Sequence, residues 1–142
     1  MKYSIRKIIK IVFLLFSSCI LFISCFNNNI TQINQDELFK EVRTDINSAR
    51  KKYKNKIIII SGIINDIDYP IDIQNECAVL LGEMNYDYAK LTGDCICCYV
   101  NERLNNEIKN EQVFIKCKFK DAIKTSDGYY LIMCRNGEIV KN

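Results

Sequence analysis

The sequence contains no histidine and no tryptophan in 142 residues. Lack of histidine excludes every histidine general base, every Ser-His-Asp or Cys-His arrangement and every histidine-ligated metal site. Excess charge of one sign is also missing. Of the 20 basic side chains, Lys2, Arg6, Lys7 and Lys10 all precede the first acidic residue, Asp36, which leaves 16 against 17 acidic ones. The chain after residue 10 is therefore close to −1, and general affinity for a phosphate backbone, which needs clustered lysine and arginine, is not supported. No nucleophile motif and no phosphate-cradling glycine loop is present. What remains is 49% hydrophobic and 26% charged, the composition of one modest globular domain.

A long apolar run is lacking too. Ile11 to Ile23 is apolar except for Ser17 and Ser18, shorter than the roughly 20 residues that span a bilayer. Four cations followed by such a run read as the n- and h-regions of a signal peptide. The run ends in Leu21-Phe22-Ile23-Ser24-Cys25, which resembles the lipobox of bacterial lipoproteins, with Phe22 where leucine is usual. That resemblance implies acylation of Cys25 as the new N-terminus. Cys19, after Phe16-Ser17-Ser18, is the rival. Cleavage there would start the mature chain on apolar Ile20 to Ile23, whereas Cys25 is followed by Asn27-Asn28-Asn29 and a polar stretch suited to a tether. An uncleaved anchor over Ile8 to Phe26 is the alternative. The expected organisation is a signal peptide over 1–25, a tether over 26–35 and one domain over 36–142, held to a membrane by lipid in the cell envelope, outside the cytoplasm.

Leu38, Phe39, Val42, Ile46 and Ala49 recur at helical steps, predicting one helix over Asp36 to Tyr53 capped by Asn34 or Asp36. Lys56 to Ile67 is β-branched and reads as a strand buried on both faces near its middle, with a bulge or bend at Gly62. Cys77 to Leu81 and Cys95 to Val100 read as the second and third strands. Asn101 to Ile108 reads as a short helix. Gln112 to Phe119 is a fourth strand with Val113, Ile115, Cys117 and Phe119 on one face, and Tyr129 to Cys134 a fifth, joined to the fourth as a hairpin at Asp127-Gly128. Asn136-Gly137 reads as a further turn.

One N-terminal helix, five strands and a short helix between strands three and four give an all-β protein in the order of a five-stranded OB-fold barrel. The sequence resembles the tRNA-anti-like OB-fold family of small exported domains in Tyr53-Lys54-Asn55-Lys56, Ile58 to Ile64, Cys98-Tyr99-Val100, Val113 to Lys118 and Leu131 to Val140. Cys117 stands where that family is expected to have glycine, and the loop after Gly82 has no counterpart. The resemblance implies a disulfide between Cys98 and Cys134.

Beyond Cys19 and Cys25 the chain has Cys77, Cys95, Cys97, Cys98, Cys117 and Cys134. Six cysteines in an exported domain allow 15 pairings, and any of them can instead be a small buried apolar residue. Cys95 and Cys97 share one strand face and Cys98 takes the other. A zinc site would combine Cys95, Cys97 and Cys98 with Cys77, Cys117 or Cys134, but the spacing is not that of a zinc knuckle, so neither a metal nor another cofactor is expected. Tyr86, Tyr88 and Tyr99 are the candidate ligand-binding residues, because OB-folds stack ligands on the face of strands two and three and its flanking loops. Glu83, Asp87 and Asp94 share a loop region beside Lys90 and are the carboxylates that would serve a metal-dependent envelope hydrolase. The expected function is a non-catalytic module that binds an envelope ligand or protein. The alternatives are nucleic-acid binding by the barrel face and, less favoured, that hydrolase.

Overall fold

The computed structural model describes residues 30–69, 76–83, 85–87 and 90–140. Two short helices precede a closed sheet. The first strand, β1 (Thr31–Asn34), leads into α1 (Gln35–Thr44) and α2 (Ile46–Tyr53). The strands β2 (Ile57–Asp68), β3 (Cys77–Gly82), β4 (Asn85–Asp87), β5 (Lys90–Thr92), β6 (Cys95–Val100), β7 (Gln112–Lys124) and β8 (Tyr130–Val140) follow, with a single 3₁₀ turn, Asn106–Ile108, between β6 and β7.

Five of these strands close on themselves in the order β2-β3-β6-β8-β7, because β7 pairs back onto β2. β6 runs parallel to β8 and the other pairings within the ring are antiparallel. This is the OB-fold barrel. Closure removes the free edges on which a sheet would aggregate. β1 adds outside the ring, parallel to β2, and β4 pairs only with β5 in a separate small hairpin.

Alternation decides which side chains fill the barrel. Ile58, Ile60 and Ile64 of β2, Val79 and Leu81 of β3, Ile96 and Val100 of β6, Ile115 and Phe119 of β7 and Ile132 of β8 are fully buried. The helices close one side with Leu38, Phe39, Val42, Ala49 and Tyr53, and the Tyr53 ring lies 5.7 Å from that of Phe119.

The structure departs from the sequence-based expectations in several places. The sequence predicts a tether reaching residue 35, but Thr31–Asn34 forms β1, since Ile33 can bury its side chain against the core. The single expected helix is two. Asp45 lies in extended backbone, where its N–H bonds to the Glu41 carbonyl and its carboxylate caps α2 by accepting from the N–H groups of Asn47 and Ser48, at 3.0 Å each. Asn34 caps α1, accepting from the Glu37 N–H at 2.8 Å.

β2 is not buried on both faces: its residues alternate, with Ile57 and Ile63 exposed. Its register break falls between Ile64 and Asp66 and not at Gly62. Gly62 instead makes room for Gln35, whose Oε1 accepts from the Ile63 N–H. Asn101 to Ile108 forms only the 3₁₀ turn. Asn136-Gly137 is not a turn but a bulge inside β8: Lys118 pairs with Arg135 and Lys116 with Glu138, so Cys117 alone faces both residues. Asn136 takes up the bulge with a φ of 54°. The extra residue resets the pleat, so that Ile132, Cys134 and Gly137 all point inward although their spacing is uneven.

Candidate functional site

Four of the inward positions are cysteines; Cys77 of β3 donates its thiol to the Glu102 carbonyl, and the other three come together. Cys98 of β6 stands in register with Cys134 of β8, and Cys117 of β7 lies on the other side of β8, opposite the bulge. All three are buried among the core apolar residues, and their sulfurs all lie within 4.8 Å of one another. Three neighbouring strands thus deliver three thiols to one point.

The thiols act on one another. Hydrogen bonding with Cys134 and Cys98 lowers the Cys117 thiol to about 5, against the upward push of burial. The same contact with Cys117 holds Cys98 and Cys134 well above the ordinary thiol range. The six cysteines among the described residues are all free thiols, Cys98 and Cys134 included.

A second cluster lies on the outer face of β3, β6 and β8. Ala78, Leu80 and Cys95 are buried there, with Cys97, Tyr99 and Leu131 half-buried against them. Burial pushes the Cys95 thiol up to about 12 and that of Cys97 to about 11. The Arg135 guanidinium lies 5.9 Å over the Tyr99 ring, and the nearby Cys97 raises the Tyr99 hydroxyl above its ordinary value. This is the barrel face on which OB-folds take ligands. Of the three tyrosines predicted for binding, Tyr99 is on that face, Tyr86 lies in β4 of the adjoining hairpin, and Tyr88 is outside the described residues.

Of the three grouped carboxylates, Asp87 lies in β4. Glu83 is exposed, whereas Asp94 is the buried one, with both its oxygens engaged. One accepts from Arg43 of α1 and the other from the Tyr130 N–H at 2.8 Å. Asp94 is thereby a joint between helix and barrel. An open groove of about 850 Å³ runs along the outside of the barrel past Ile59, Lys116 and Gly137.

The inward place of Cys117 was legible from the alternation of β7. Its meeting with Cys98 and Cys134 was not, because that depends on strand neighbours. Arg135 gave no signal, since a lone cation after a strand is ordinarily a solvated one.

No family model matches the chain, and no curated protein matches it. Among solved structures it is similar to a chain described as an aspartyl-tRNA synthetase of Leishmania major Friedlin, at 10% identity and a TM-score of 0.43. That overlap covers 80% of this chain, which spans about a fifth, 21%, of the other.

Proposed function

We propose that the chain is an exported lipoprotein of the tRNA-anti-like OB-fold type, acylated on Cys25, whose barrel is a non-catalytic module that binds a ligand or protein at the cell envelope. The observation that carries the binding half is the apolar outer face of β3, β6 and β8, with Tyr99 under the Arg135 guanidinium. An apolar face bordered by a planar cation suits a flat or sugar-like ligand, which packs on the face and hydrogen-bonds to the guanidinium.

The anchor half rests on the four early cations, the apolar run that follows and Ser24-Cys25. Among the described residues no helix is long and apolar enough to cross a membrane. A lipid on Cys25 would hold the barrel at the surface without one.

Palmitate labelling in the producing cell tests the anchor. Label on the wild-type chain that disappears in Cys25→Ala supports it, and label that persists refutes the assignment. The nucleic-acid alternative is tested by titrating a single-stranded oligonucleotide at several salt concentrations. Tight binding that weakens steeply with salt would replace the present reading.

A further inference from the structure

We propose that Cys98, Cys117 and Cys134 form a three-sulfur site for a soft monovalent ion of the copper(I) class inside the barrel. The site does not depend on the lipid anchor or on the outer face.

Geometry is the first support. With metal–sulfur bonds of about 2.3 Å, three sulfurs around a central ion lie about 4 Å apart. The three here are already within 4.8 Å of one another, so closing on an ion requires side-chain adjustments of under about 1 Å. A disulfide is a poorer account of the same cluster. It needs the sulfurs at about 2 Å and uses only two of them, leaving the third buried beside the bridge. An ion uses all three.

Donor chemistry narrows the ion. The chain contains no histidine, and among the described residues no carboxylate joins the cluster. Calcium and magnesium need oxygen ligands, and structural zinc needs four donors in a tetrahedron. Thiol ligands alone select soft ions, copper(I) among them. Each sulfur that coordinates as thiolate releases its proton to solvent, and no electron is transferred.

The backbone gives independent support. β8 spends a bulge, with Asn136 at positive φ, directly opposite Cys117. Bulges collect where a strand must re-aim a side chain, often beside functional sites. A second irregularity in the same pairing, between Phe119 and Asp121, lies on the other side of Cys134, so two register breaks flank that thiol.

The test is to reduce the full chain without oxygen, titrate it with copper(I) against the chromophoric chelator bicinchoninate, and take the copper-edge X-ray absorption spectrum of the product. The expected result is one equivalent retained, three sulfur neighbours at about 2.3 Å, and a rise in melting temperature of the wild-type chain. Cys95→Ser/Cys97→Ser should retain the ion. Cys117→Ser, checked for folding by circular dichroism, should weaken binding by more than the roughly ten- to hundredfold typical of losing an outer-shell group.

Loss of copper to the chelator would overturn the proposal. So would two sulfur neighbours, undiminished binding by folded Cys117→Ser, or preferential uptake of zinc. A Cys98–Cys134 disulfide in the chain as isolated from its own cell would also overturn it, and that measurement needs no variant.

Discussion

Arg43 and Asp94, 51 residues apart, meet through a charged contact in which Nε and Nη2 of the guanidinium both reach the same carboxylate oxygen at 2.5 Å. Because the other oxygen holds the Tyr130 N–H, this one side chain ties α1 to the starts of β6 and β8. Arg43 is half-exposed, so the ion pair itself contributes little. The buried acceptor matters more. Asp94→Ala should destabilise the fold by about 1–3 kcal/mol, since it strands the Tyr130 N–H. Asp94→Asn, which keeps an acceptor, should cost less. Urea unfolding checks both, and a neutral Asp94→Ala would contradict the joint.

Asp45 couples the two helices to pH. Its carboxylate is held below its ordinary 3.8 chiefly by the Ser48 hydroxyl and the Ser48 N–H. A carboxylate lowered in the folded state stabilises it above the unfolded pKa, and that contribution is lost as pH falls through the folded value. The amides of Asn47 and Ser48 should therefore stay protected at pH 5 and become labile only once the pH has fallen below 3.8. In Asp45→Ala they should already be labile at pH 5. Hydrogen exchange at those two amides reads the difference.

Cys95 sets the opposite limit. Burial raises its thiol from 9.0 to about 12. Between those values the unfolded chain gives up the proton while the folded one keeps it, so stability must fall as pH rises from about 9 toward 12. Melting temperature followed over that range should decline, and less steeply in Cys95→Ala. Equal slopes would mean that Cys95 is not the group responsible.

Two glycines differ in what replaces them. Gly82 has a φ of 112°, and a Cβ there would sit 2.5 Å from the Asp94 carbonyl oxygen and 3.0 Å from the Phe39 ring. Backbone cannot step aside, so Gly82→Ala should cost on the order of 3 kcal/mol. At Gly62 the obstacle is the flexible Gln35 amide, which can swing away at the loss of one hydrogen bond to Ile63, about 1 kcal/mol. Thermal unfolding of the two variants should rank them in that order.

Much of the barrel was readable in the chain. β6 falls on Cys95–Val100 as expected, and the inside and outside of β7 follow from its alternation. The ring order agrees with the OB-fold reached from element order alone. Most of the missed features share a cause: they depend on partners distant in sequence. Asp45 is the exception: it lies within a helical apolar pattern, and the break there is local, its N–H closing on the Glu41 carbonyl while its carboxylate caps Asn47 and Ser48. Asn136-Gly137 carries turn chemistry, yet β8 continues because Ile139 and Val140 find Ile115 and Phe114 on β7. The resemblance pairs Cys98 with Cys134, but the third sulfur, of Cys117, joins them only because β8 lies between β6 and β7. Asp94 read as a free loop acid because its partners are 51 and 36 residues away.

The most direct test of the central claim is the intact mass of the protein extracted from membranes of its own cell. An exported lipoprotein predicts a chain that begins at Cys25 and carries the mass of its acyl groups. A full-length chain without acyl groups would contradict it, and the barrel would then have to reach its ligand by another route.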